Sequence, residues 1–188
     1  MKLDYIEGIQ IRLCDNWFNY IPVNNEKPIN YLEIGTLHGA NLLSVADYYG
    51  KHIDSKLYCI DPWDDYEDYN EYKELQNDHF NIFLKNLNNH PDKNKITYYK
   101  NYSHKILPTL EDDYFDIIYI DGNHEAIYVL EDAVLSFRKL KKNGYLIFDD
   151  YIGWDETAKI GIDGFLYGFK GKYRCLGTND TQLYLQKT

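Results

Sequence analysis

Cysteine is scarce and scattered. The three present, Cys14, Cys59 and Cys175, form no C-x-x-C pair and are odd in number. That argues against a disulfide framework and against a structural zinc site, and leaves reduced, buried thiols as the expectation. Long apolar runs are missing: nothing approaches the ~18 residues of a membrane span. The N-terminal stretch MKLDYIEGIQIRLC carries acids early and has no signal-type apolar core. A cytoplasmic protein without a membrane partner is expected. Positive charge is also short, with 20 Lys and Arg against 30 Asp and Glu and a net charge of -10. A polyanion such as nucleic acid is a poor partner for such a chain. The densest basic cluster, Lys139, Lys141 and Lys142, falls where a helix C-terminus favours cations. There is no internal repeat and no low-complexity linker. A single domain over 1–188 is expected, with 1–28 as an N-terminal helical cap and 29–188 as the core.

What is present is a regular alternation. NYLEI (30–34) reads as a short strand. From Gly39 a helix follows, because Leu42, Val45, Ala46 and Tyr49 make one apolar stripe, ended by Gly50. KLYCID (56–61) is a second strand. Phe80, Phe83, Leu84 and Leu87 mark a second helix, stopped at 88–91 by Asn-Asn-His-Pro. KITYYK (95–100) is a third strand, and SHKILPTL is a short helix or turn broken by Pro108. FDIIYID (115–121) is almost continuously apolar, as befits a strand buried on both faces of a parallel sheet. Leu130, Ala133, Val134 and Phe137 give another helix, which Asn143-Gly144 is expected to cap before the strand YLIFDD (145–150). A helical stretch spans about 157–170. YRCLGT and QLYLQK close the chain as adjacent strands, turning at Asn179-Asp180. The pattern predicts a doubly wound α/β fold. It is a Rossmann-like, seven-stranded, mostly parallel sheet with a C-terminal antiparallel strand and helices on both faces. Ligands of such sheets sit beyond the carboxyl ends of the strands.

Several of these strands end on an acid. In EIGTLHG, Gly35 and Gly39 let the backbone pass close to a ligand, and their spacing differs from the G-x-G-x-x-G dinucleotide fingerprint. Glu33 before the first glycine repels a pyrophosphate and favours a cationic ligand, a sign that suits S-adenosylmethionine. A turn of this kind also occurs without any ligand. Asp61 ends the second strand, where a carboxylate can accept from both hydroxyls of a ribose; capping the turn at Pro62 is the alternative.

The segments YLEIGTLHGAN, CIDPW, YSHKILPTL, FDIIYIDGNHEAIYVLEDA and LKKNGYLIFDDY occur in that order. In this the chain resembles the class I S-adenosylmethionine-dependent methyltransferases over about 28–188. More narrowly it resembles macrocin-type and other metal-dependent sugar O-methyltransferases. The resemblance implies S-adenosylmethionine as cofactor, with Glu33, Gly35, Thr36, His38, Gly39, Asp61, Trp63, Ser103 and Asp121 at its site. It implies Mg²⁺ or Mn²⁺ held by Asp121, Asp149 and Asp150, an oxygen donor set that suits either ion. It also implies His124, with Asp121, as the catalytic pair, the imidazole accepting the proton of a hydroxyl. DPWDDYEDYNEY is a candidate lid, and Tyr151 and Trp154 are candidates to pack on a sugar ring. Asn123 departs from the acidic residue found there in some relatives.

The expected partner is a small-molecule acceptor, a sugar or nucleotide-sugar, and self-association is compatible with the family. A catechol-like phenol shares the chelating chemistry. A methyltransferase-like binding protein without catalysis is the alternative of a different class.

Overall fold

The structure, a computed structural model, describes residues 7–8, 13–64, 76–153 and 156–188. Most of the lid candidate and Trp154 lie outside the described residues. Among those described, a short 3-10 helix over Leu13–Asn19 precedes the first strand. The strands are β1 (Asn30–Ile34), β2 (Lys56–Asp61), β3 (Ile96–Lys100), β4 (Phe115–Ile120), β5 (Leu140–Phe148), β6 (Tyr173–Asn179) and β7 (Gln182–Lys187). The helices are α1 (Ala40–Tyr48), α2 (Gln76–Asn89), α3 (Ser103–Ile106), α4 (Ala126–Lys139) and α5 (Glu156–Gly168).

The sheet has the order β3-β2-β1-β4-β5-β7-β6. The first five strands in that order run parallel, and β7 pairs antiparallel with both β5 and β6. After β1 the chain winds outward through β2 and β3, then returns to place β4 on β1's other side. The gap between β1 and β4 is therefore the topological switch point, where the carboxyl ends of parallel strands leave a crevice.

Side chains alternate across the sheet and feed two cores. Leu32, Ile34, Ile118, Ile120, Leu146 and Phe148 meet α4 and α5 residues such as Val129, Ala133, Ile162 and Phe165. Tyr31, Ile117, Tyr119 and Ile147 meet Leu42 and Val45 of α1, Phe83 of α2 and Trp17 of the N-terminal segment. Trp17 is pinned as well as buried: its indole N–H donates to Gln182 Oε1 at 3.0 Å, across 165 residues of chain.

Two expectations change. α4 stops at Lys139 and β5 begins directly at Leu140, so Asn143-Gly144 lies inside the strand rather than at a helix cap. The register slips between Phe115 and Ile117, Asn143 takes a φ of 65°, and Lys141 reaches Asp116 at 2.8 Å. An irregular strand thus absorbs the turn residues that read as a break. Cys175 is exposed, unlike Cys14 and Cys59.

The α4–α5 contact depends on one small residue. A Cβ at Gly161 would stand 2.5 Å from the Ala126 carbonyl oxygen, whereas at Gly164, one turn on, the nearest atom would be a Leu130 methyl at 3.7 Å. Gly161→Ala is expected to lower stability by about 1–3 kcal/mol through overpacking. Gly164→Ala is expected to be neutral or to stabilise by up to about 1 kcal/mol through helix propensity. Urea denaturation of the two variants checks the contrast.

Candidate active site

The parallel register brings three strand ends abreast. Ile34 pairs with Ile120, and Ile120 with Phe148. The ladder continues one step beyond: Asp121 N–H donates to Ile34 O at 2.8 Å and Asp149 N–H to Ile120 O at 3.0 Å. Gly35 leaves β1 with φ 80°, and a Cβ on it would lie 1.8 Å from the Asp121 carbonyl oxygen. Only glycine permits both that conformation and that approach.

The first loop is held by the two acids that flank it. Glu33 points to the α1 side and is enclosed. Thr36 and Tyr31 donate their hydroxyls to it, and the Asn41 amide donates at 2.9 Å. Burial outweighs these donors and lifts its carboxyl to about 7. Asp61 accepts from the Thr36 and Leu37 N–H groups at 2.9 Å and from Trp63 N–H at 2.8 Å. Burial raises its carboxyl too, against the pull of those N–H donors. Asp61 is therefore a cap of the loop, as the alternative reading had it. A carboxylate with three acceptor contacts still has lone-pair capacity left.

For His38 and Trp63 the picture shifts from cofactor to packing. The His38 ring sits 2.7 Å from His79 Nδ1 and against Gly8, and burial followed by His79 pushes its imidazole down to about 4. The Trp63 indole donates to Leu37 O at 2.8 Å and packs on Phe83 and Phe80. Gly39, at φ 83°, leaves room for the Phe83 ring. Both rings were expected at the cofactor, His38 from its place inside the glycine loop and Trp63 from its place just after Asp61. Their loops turn them instead onto α2.

The acid trio divides. Asp149 is engaged by three donors: it accepts from the Thr181 hydroxyl, from Asp150 N–H at 3.0 Å and from the Tyr119 hydroxyl at 2.8 Å. Tyr119 also lies 3.2 Å from Asp121 and receives the Gln182 amide at 3.4 Å. Its phenol is driven well above its ordinary range by burial and by Asp121 and Asp149. Asp150, at φ 55°, faces His124, whose Nε2 lies 3.0 Å from its carboxylate. Asp121, His124 and Asp150 have ligand-capable atoms all within 4.8 Å of one another. Burial, then the charges of Asp149 and Asp150, raise the Asp121 carboxyl well above its usual range. Two carboxylates at this spacing fit a divalent cation, which would relieve their repulsion and leave the imidazole beside it free to take a proton.

The loop carrying His124 has its own supports. Asn123 Oδ1 accepts from Glu125 N–H at 2.7 Å, and the Thr157 hydroxyl of α5 donates to His124 O at 2.8 Å. The first of these gives the departure at Asn123 a local role as a turn former. Ser103 opens α3, and Asp132 of α4 is buried, which lifts its carboxyl to about 7 against the pull of Ser103. Asp132 is absent from the sequence reading. Its signal was an acid at a core-facing position of the α4 stripe, between Val129 and Ala133.

Glu33 gives a pH prediction. Its folded value, about 7, lies above the ordinary 4.5 of the unfolded chain. The stability it contributes is full below pH ~4.5 and is lost as pH rises through ~7, amounting to about 3 kcal/mol. Relative to wild type, Glu33→Gln is expected to gain that amount between pH 4.5 and 7.5. Denaturant titrations of both proteins across that range measure the difference.

A family model described as a methyltransferase domain matches residues 32–151. Protein R132 of Acanthamoeba polyphaga mimivirus is 32% identical over 128 residues, covering 65% of this chain and 52% of that one. The chain thus spans about half the length of the curated relative it matches. Among solved structures, the O-methyltransferase TomG from Streptomyces achromogenes, in complex with S-adenosylmethionine, superposes with a TM-score of 0.64 at 17% identity, covering 85% of this chain and 73% of that one. The O-methyltransferase NovP also gives 0.64 at 17% identity, covering 93% and 76%. Cofactor-bound Rv0187 from MTB gives 0.63 at 16% identity, covering 84% and 72%. These likenesses speak to the fold, and the family match spans the strand ends described above: the chain belongs to the methyltransferase-domain family.

Proposed function

We propose that this protein is an S-adenosylmethionine-dependent O-methyltransferase that uses a divalent cation, Mg²⁺ or Mn²⁺, and acts on a hydroxyl of a small molecule, a sugar or nucleotide-sugar. The observation that carries this reading is the convergence of Asp121, Asp150 and His124 at the switch point of the sheet, beside Gly35.

Asp121 and Asp150 would hold the ion, with Asp149 behind them. When bound, the ion supplies acidification of a coordinated hydroxyl and orients a vicinal diol. Asp149, fixed by Thr181 and Tyr119, sets the backbone from which Asp150 projects. Glu33 lies beneath the loop that a cationic cofactor would approach. Asp61, at the end of β2, offers its remaining lone pairs to the ribose. Methyl transfer forms a bond from the acceptor oxygen to the methyl carbon as the carbon–sulfur bond breaks. His124 takes the hydroxyl proton on Nδ1, while its Nε2 faces the Asp150 carboxylate, which orients the ring and stabilises the imidazolium.

Assay of the purified protein with S-adenosylmethionine and a nucleotide-sugar panel tests this reading. Turnover is expected with Mg²⁺ or Mn²⁺, to be lost in EDTA, and to return on adding the metal back. His124→Ala is expected to lower kcat by about 10²–10⁴-fold with the cofactor still binding. Full turnover in EDTA, or an unchanged kcat in the variant, contradicts the mechanism.

A further inference from the structure

The family match ends at residue 151, yet a residue beyond it shapes the acid cluster. Thr181 stands in the turn between β6 and β7, directly after Asp180 at φ 55°. Its hydroxyl donates to Asp149 Oδ1, the oxygen that also accepts from Asp150 N–H at 3.0 Å. Its carbonyl accepts from Tyr151 N–H at 2.9 Å and from Ile152 N–H at 3.1 Å. One residue of the C-terminal hairpin thus grips the loop on both sides of Asp150.

Asp150 needs that grip. It sits at φ 55°, a left-handed conformation that costs a residue with a Cβ. That conformation is what brings its carboxylate to 3.0 Å from His124 and into reach of Asp121. No regular element holds it there, because β5 ends at Phe148 and α5 begins at Glu156. On its other side the loop is tied to α5 by the Tyr151 hydroxyl, 3.1 Å from Asp163, an exposed bond for which water competes. The two grips of Thr181 differ in kind. Its carbonyl is backbone and survives any side chain at 181. Its hydroxyl does not, and without it Asp149 Oδ1 keeps one donor, Asp150 N–H, among the described residues. A carboxylate loosened in this way can rotate off Asp150 N–H and release the turn.

We propose that Thr181 is a positioning residue for the divalent cation: by fixing the Asp149 carboxylate against Asp150 N–H, its hydroxyl holds Asp150 in the turn from which it faces Asp121. This rests on the cation reading above. The C-terminal hairpin is then part of the metal site, although Thr181 itself touches no ion.

Calorimetric titration of Mn²⁺ into the purified chain tests it, with S-adenosylhomocysteine titrated in EDTA as the control. Thr181→Val keeps the shape of the side chain and removes the hydroxyl. It is expected to weaken Mn²⁺ binding by about 10–100-fold and to leave the affinity for S-adenosylhomocysteine unchanged. Thr181→Ser restores the donor and is expected to bind Mn²⁺ as wild type does. Thr181→Ala also lacks the hydroxyl and serves if the valine variant folds poorly. Unchanged Mn²⁺ affinity in the valine or alanine variant overturns the proposal. So does an equal weakening of both ligands, or a loss that serine does not restore, since each marks a general structural role. Wild type that binds no Mn²⁺ fails earlier, on the cation reading itself.

Discussion

The contact on which the rest depends is the approach of Gly35 to the Asp121 carbonyl across the switch point. β1 and β4 stay hydrogen-bonded one residue past their ends, because Gly35 has no Cβ to hold them apart. That single register sets Asp121 beside the first loop. It also sets Asp149 beside Asp121, since β5 pairs with β4 in step. A side chain at 35 would force the crevice open and separate the acids. The glycine is therefore a constraint on the site as much as on the turn.

Around that contact the charges are layered. Glu33 and Asp61 face inward and organise the loop through the donors they collect. Asp149 collects a second set, from Tyr119 and Thr181, and Tyr119 is braced in turn by Gln182, which accepts from Trp17. The N-terminal segment thus supports the far side of the acid cluster through buried hydrogen bonds. Such a chain is stiff when every member is satisfied, and stiffness suits a site that must hold like charges close together. Asp121, Asp150 and His124 remain, facing one another with their charge uncompensated by any lysine or arginine ion pair among the described residues.

Much of this was legible in the sequence. Strands ending on acids, separated by amphipathic helices, point to an open parallel sheet with its chemistry at one edge. The offset from Asp121 to His124 is local and survives folding intact. What sequence hid was direction. His38 lies in the glycine loop and Trp63 just after Asp61, yet the left-handed backbone at Leu37 and at Trp63 directs the His38 and Trp63 rings to α2. Asp149 and Asp150 look alike in FDD; Thr181, from the turn between β6 and β7, captures the first and leaves the second to His124. Asn143-Gly144 has the chemistry of a helix stop, but the ladder to β4 and β7 outweighs it. Asp132 went unread because an acid within an apolar stripe passes for a surface residue until its burial is known.

The central claim is that the strand-end acids form a metal site completed at the cofactor loop. Electron paramagnetic resonance of Mn²⁺ added to the protein with S-adenosylhomocysteine tests it most directly. The account predicts one bound Mn²⁺ per chain, competed by Mg²⁺ and lost in Asp121→Asn. Mn²⁺ binding that persists unchanged in that variant would contradict it.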